Sequence, residues 1–137
     1  MEKAYDRMEW DFILKCFQEL GFHPTWIMWI KECITSVSYS VIVNDEPTGL
    51  FTPTRGIRQG DPLSPYLFII CMEVMSLWLS KAAAKHKAGI GFKICPKASI
   101  IPGLFFADDC LLFCKTSAAN CTTLKTLLDE FCAASDN

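Results

Sequence analysis

No Cys-x-x-Cys pair occurs anywhere in the 137 residues, although cysteine itself is abundant, at eight. Histidine is scarce, His23 and His86 being the two present. Zinc centres draw on clustered Cys and His ligands at short spacings, so zinc ligation is poorly supported. A basic excess is missing too, with a formal net charge of -2 and a pI of about 5.6. Self-sufficient nucleic-acid binders usually carry a Lys and Arg surplus, so tight autonomous binding is not expected, although local positive potential is not excluded. Met1-Glu2-Lys3 is charged and lacks an apolar core behind it, so no secretory signal is read. The expectation is an intracellular chain, in cytoplasm or nucleus, whose cysteines stay reduced and mostly buried. Internal repeats, low-complexity tracts and domain linkers are also lacking.

What is present is apolar bulk. Hydrophobic residues make up 51% and charged residues 20%, which suits one folded domain rather than disorder. Asp6 and Glu9 have capping-box spacing, and Trp10, Ile13, Leu14, Phe17 and Leu20 follow at helical intervals to a stop at Gly21. Pro24 suits the first turn of a second helix carrying Trp26, Ile27, Trp29, Ile30, Cys33 and Ile34, whose aromatic stripe reads as core packing. Tyr39–Asn44 alternates as a strand, residues 45–49 turn, and residues 50–52 return. A long helix runs from Pro62 to about Lys87, apolar on nearly every side, and reads as a central helix buried between layers. Its length approaches a membrane span, but Glu73 at its middle and two prolines at its start favour a core helix. Phe92-Lys93-Ile94 reads as a short strand, and a final amphipathic helix starts near Ser117 with Leu124, Leu127, Leu128 and Phe131. The order predicts an α+β fold, helices packed on a small antiparallel sheet.

Two stretches carry chemistry. Leu104–Phe113 sets Asp108 and Asp109 between apolar strands, which places both aspartates at a hairpin tip. Neighbouring carboxylates repel, and tight hairpins prefer Asn-Gly or Asp-Gly, so a hard divalent cation such as Mg²⁺ is the physical reason to keep the pair. An ordinary polar turn is the competing reading. The second stretch, residues 54–65, holds Arg55, Gly56, Arg58, Gln59, Gly60, Asp61, Ser64 and Pro65 ahead of the long helix. Glycines admit close backbone approach, arginines donate bidentately to phosphate, and a helix N-terminus favours anions. A loop with a helix cap and solvated arginines accounts for it equally well.

Taken together, three blocks resemble reverse transcriptases, in wording nearest the plant LINE-type non-LTR retrotransposons. Phe106-Ala107-Asp108-Asp109 resembles their metal-binding hairpin, and Arg55-Gly56-x-x-Gln59-Gly60-Asp61-x-x-Ser64-Pro65 their loop-and-helix motif beside the nucleotide site. Met1-Glu2-Lys3-Ala4-Tyr5-Asp6 resembles the end of their first carboxylate motif. The resemblance runs nearly end to end and implies a partial polymerase palm. It implies RNA-directed DNA polymerisation by a two-metal mechanism, with Mg²⁺ on Asp108 and Asp109. Tyr5 matches the aromatic gate against a ribose 2′-hydroxyl, while Lys3, Arg55, Arg58, Gln59 and Gly60 match positions around nucleotide and template. RNA template, DNA primer and deoxynucleotides are the implied partners, and no membrane is.

One departure matters. The family's metal-binding aspartate falls one position before Met1, and Ser135-Asp136-Asn137 falls short of the next palm motif and the thumb. Residues 1–137 are therefore expected to be a partial reverse transcriptase domain, truncated at both ends and incomplete as a catalyst by itself. The opposing reading is a non-catalytic remnant of a decayed retroelement. If the residue assignments hold, Tyr5 and the Asp-Asp tip lie within one nucleotide's reach, with the Gln59 loop flanking the same cleft.

Overall fold

A computed structural model describes residues 4–85, 89–107 and 109–135, and every side chain among them except that of Ala4. Five helices and two hairpins follow one another: α1 (Ala4–Arg7), α2 (Trp10–Glu19), α3 (Pro24–Thr35), β1 (Ile42–Val43), β2 (Glu46–Pro47), α4 (Ser64–Lys85), β3 (Gly103–Phe106), β4 (Asp109–Leu112) and α5 (Ala118–Ser135). The class is α+β, as the residue order predicts. The strands form two separate antiparallel pairs, β1 with β2 and β3 with β4.

The core sits where α2, α4 and α5 meet. Ile13, Cys16 and Phe17 of α2 and Leu67, Cys71, Met75 and Leu79 of α4 are almost entirely removed from water. Phe131 of α5 closes it, edge-on to Phe12 at 5.4 Å and tilted against Trp78 at 6.2 Å. Leu124, Leu127 and Leu128 pack partly buried beside it, which is the amphipathic face read from the sequence. Helix ends follow local chemistry. Gly21, at φ +81, lets its N–H reach the Gln18 carbonyl at 3.0 Å and so ends α2. His23 Nδ1 accepts from the Thr25 N–H at 3.2 Å with Pro24 at the first position of α3. Asp61 Oδ1 accepts from the Leu63 N–H at 2.8 Å just ahead of α4, and Ser117 Oγ caps α5 through the Asn120 N–H at 3.1 Å.

Several expectations need correction. The capping box does not form: Asp6 lies inside α1, and Glu9 precedes α2 with extended backbone and no side-chain cap. Tertiary contacts decide this, because the Met8 carbonyl accepts from the 55–57 loop and the Glu9 N–H is taken by the Ser135 carbonyl at 3.1 Å. The aromatic stripe of α3 is not core, since Trp26 and Trp29 are 45% and 54% exposed. The helix packs on α2 and buries Ile30 and Ile34. The cysteines are not mostly buried. Cys16 and Cys71 are, at the α2–α4 contact, whereas Cys33, Cys95, Cys110, Cys121 and Cys132 lie on surfaces that face water. The first hairpin turns earlier than expected, at Asn44 and Asp45 (φ 51 and 64), with Glu46-Pro47 already paired. Finally, α4 is covered on part of its circumference. Tyr66, Ile69 and Leu77 are exposed, while its opposite side carries most of the core.

α4 is the one helix among the described residues with the length and hydropathy to cross a membrane. It serves here as the helix against which α2 and β3 pack. Phe92 pairs with Ile101 as a single bridge rather than a strand of its own. Lys87, at the expected end of α4, lies outside the described residues.

Candidate functional site: the wall between α1, the 55–60 loop and the aspartate hairpin

Residues far apart in the chain meet at Gly56. Its N–H donates to the Met8 carbonyl at 2.8 Å, and the next N–H, of Ile57, donates to the Tyr5 carbonyl at 2.8 Å. The Gly56 carbonyl in turn accepts from the Trp10 indole N–H at 2.8 Å. Gly56 adopts φ +84, and a Cβ there would stand 2.8 Å from the Asp6 carbonyl oxygen. Glycine is needed on both counts, conformation and space. Arg55 adds an ion pair to Glu9 at 3.4 Å, half exposed and therefore weak. Ile57 is buried beneath the loop and anchors it to the core.

Beyond this junction the loop opens to solvent. Arg58, Gln59 and Gly60 are all exposed, and Gly60 turns the chain at φ +85. The Arg58 guanidinium lies over the Tyr39 ring, 5.7 Å from its centre, a cation–π contact that holds the side chain toward the first hairpin. Beneath it is a cavity of about 350 Å³ bordered by Tyr39, Arg58, Asp61 and Ser64. The Tyr5 ring stacks on Phe68 of α4 with centres 5.0 Å apart and planes 16° from parallel. A second cavity, about 200 Å³, is lined by the same Phe68 together with Ile69, Met72, Glu73, Ser76, Phe105 and Ala107. Phe68 therefore borders both Tyr5 and the aspartate hairpin.

In that hairpin Gly103 pairs with Leu112, Leu104 with Leu111, Phe105 with Cys110 and Phe106 with Asp109. Phe105 faces the core, while Phe106 is 82% exposed. Asp109 is the first residue of β4 rather than part of the tip, and its side chain is exposed. Ala107 takes the turn at φ 50. Next to Asp109, partial burial of its sulfur pushes the Cys110 thiol up, favouring the neutral form.

Of the residues singled out from the sequence, Tyr5 and Arg55 stand at the Gly56 junction, Arg58, Gln59 and Gly60 lie on the exposed turn that follows it, and Asp109 lies in the hairpin whose Phe105 and Ala107 share a cavity with Phe68. Lys3 and Asp108 lie outside the described residues. The chemistry of Asp109, a hard carboxylate in the open, suits a divalent cation. The described residues hold no group of three His, Cys, Asp or Glu side chains able to hold a metal ion. Sequence reasoning missed Trp10 and Glu9 as partners of the loop. The glycine after Arg55 was the available signal, because a glycine between two arginines in a polar loop invites the question of what approaches it.

Comparison with known proteins identifies the family. The family model described as reverse transcriptase (RNA-dependent DNA polymerase) matches residues 1–136. An uncharacterized mitochondrial protein of Arabidopsis thaliana is 50% identical over 68 residues, spanning 50% of this chain and 55% of that protein. The Pol polyprotein of the type-1 retrotransposable element R2 of Popillia japonica is 30% identical over 132 residues, 96% of this chain and 18% of the polyprotein. That of the type-2 element R2DM of Drosophila melanogaster is 28% identical over 130 residues, 95% of this chain and 11% of the polyprotein. The chain thus spans about half of the plant relative and a small part of each retroelement polyprotein. It belongs to the reverse transcriptase (RNA-dependent DNA polymerase) family.

Proposed function

We propose that the chain is part of the palm of an RNA-directed DNA polymerase and takes part in template-directed nucleotidyl transfer. The single observation that carries this reading is the Gly56 junction. It joins Tyr5 and the 55–60 loop into one wall that continues through Phe68 to the hairpin of Asp109.

In this reading Asp108 and Asp109 supply carboxylate oxygens at the reacting end of the primer. Were Mg²⁺ held by these two carboxylates, it would supply charge neutralisation for the triphosphate and ease ionisation of the primer 3′-hydroxyl. The chain's own residues do the positioning. The Tyr5 ring, fixed by Phe68, occupies the space that a ribonucleotide 2′-hydroxyl would need. Gln59 and Gly60 present an exposed turn to the incoming nucleotide and template, and Lys3, Arg55 and Arg58 supply positive charge for phosphate. RNA template, DNA primer and deoxynucleotides are the partners. The net charge of -2 supports weak binding of nucleic acid by the isolated chain.

The 137 residues are proposed to be one partial reverse transcriptase domain, working inside the cell and inactive by themselves. Two carboxylates do not complete a two-metal site. The alternative is a non-catalytic remnant of a decayed retroelement.

The experiment is a graft: residues 1–136 replace the matching segment of the Popillia japonica R2 polyprotein, and primer extension is measured on an RNA template with Mg²⁺. Extension by the graft that disappears with Asp108→Ala supports the polymerase reading. A folded graft that extends nothing, beside an unaltered polyprotein that does, leaves the remnant reading. The purified 137-residue chain is expected to extend nothing, and activity there would overturn its proposed incompleteness.

A further inference from the structure

Trp10 opens α2, outside every motif that the family resemblance picks out, yet its indole N–H reaches the Gly56 carbonyl at 2.8 Å across 46 residues of sequence. The other bonds of this junction run backbone to backbone, from Gly56 to Met8 and from Ile57 to Tyr5. The Arg55–Glu9 pair is water-exposed and contributes little. The Trp10 ring is half-buried and packs on the core, so the indole cannot follow the loop if the loop moves. The bond therefore fixes the loop relative to the body of the protein. Tyr5 belongs to the same unit, because its carbonyl holds the Ile57 N–H while its ring is held by Phe68.

We propose that Trp10 is a positioning residue: through Gly56 it sets the spacing between the Tyr5 ring and the Arg58–Gly60 turn, and thereby the discrimination between deoxyribo- and ribonucleoside triphosphates. The clasp stands on geometry alone, whereas its consequence for sugar selection rests on the polymerase reading.

Phenylalanine at this position keeps the packed ring and removes the donor. The Gly56 carbonyl loses its partner in a half-buried setting, where an unmade hydrogen bond is costly. The loop then samples open positions while the core stays intact, since local opening is separable from global unfolding. Gly56→Ala attacks the same joint from the other side, through its positive φ and the clash with the Asp6 carbonyl. It is the harsher variant, and Trp10→Phe keeps the test open should Gly56→Ala fail to fold.

Hydrogen exchange on the 137-residue chain decides the clasp. In Trp10→Phe the amides of Gly56 and Ile57 are expected to exchange about tenfold faster, and trypsin to cut faster after Arg58, while core amides such as those of Ile13 and Leu67 keep their rates. Unchanged exchange at Gly56 and Ile57 overturns the clasp, whatever the protein does. Steady-state kinetics of the R2 graft decide the consequence. Trp10→Phe is expected to change the ratio of kcat/KM for dUTP over UTP several-fold, the effect falling on KM more than on kcat. An active graft whose sugar preference is unmoved overturns the positioning role. A graft inactive even with Trp10 sinks the polymerase reading, and sugar selection with it, while hydrogen exchange still decides the clasp.

Discussion

Ile13 of α2 and Cys71 of α4 are both 0% exposed, and they mark how tightly the two helices meet. Truncating Ile13 to Ala removes methyl groups that no neighbour can replace and leaves a cavity. The expected cost is about 2–5 kcal/mol, read as a lower urea midpoint with an unchanged slope. Cys71 donates its S–H to Cys16, and that bond together with burial pushes its pKa far up. The thiolate is the reactive form, so Cys71 should resist a thiol reagent in the folded protein while exposed Cys33 and Cys95 react first. Mass spectrometry of a timed alkylation checks the order.

At the scale of the element, turn and cap chemistry give the clearest tests. Asn44 and Asp45 both take positive φ, the pattern of a type I′ hairpin turn, and glycine is favoured at its second position. Asp45→Gly relieves a left-handed backbone costing about 1 kcal/mol and should raise the thermal midpoint modestly. Ser117→Ala removes the Oγ that caps α5 and should cost about 1 kcal/mol, seen in the same melt. Such local signals are also what the sequence conveyed best. Gly21, Asp61 and Ser117 each mark a helix boundary through a short-range bond that their residue type makes predictable, and Pro24 marks one through its fixed φ at the first helical position. The errors came where distant segments decide. The Asp6–Glu9 capping box yielded to bonds from Gly56 and Ser135, partners 47 or more residues away. Spacing along α3 showed a helix but could not show which face would find a neighbour, and so Trp26 and Trp29 were misread as core. The candidate site divides the same way. Its residue types were legible in the three motifs, whereas the Trp10–Gly56 bond that ties one of them to α2 was not, because a single indole carries no pattern.

For the molecule as a whole, the telling feature is how much apolar surface faces water. Ile42 and Leu50 of the first hairpin region are 72% and 78% exposed, Ile94 is 76% exposed, and Phe106 beside Asp109 is 82% exposed. Monomeric soluble proteins seldom leave large contiguous apolar patches uncovered. A two-stranded ribbon such as β1–β2 is also marginal without something packed on its face. The retroelement polyproteins are much longer than the segment matched here, so further polypeptide is available in them to lie against such faces. The purified 137-residue chain should therefore self-associate, its weight-average mass in sedimentation rising with concentration. Ile42→Lys with Leu50→Lys places two charges on this exposed ribbon and touches no core residue. The pair should suppress the association and shift the thermal midpoint little, since substitutions at exposed sites usually change stability by less than about 0.5 kcal/mol. A wild-type chain that stays monomeric across the concentration range would show that these side chains are tolerated in water. A double variant that still associates would move the sticky surface elsewhere, to the uncovered side of α3 with Trp26, Met28 and Trp29.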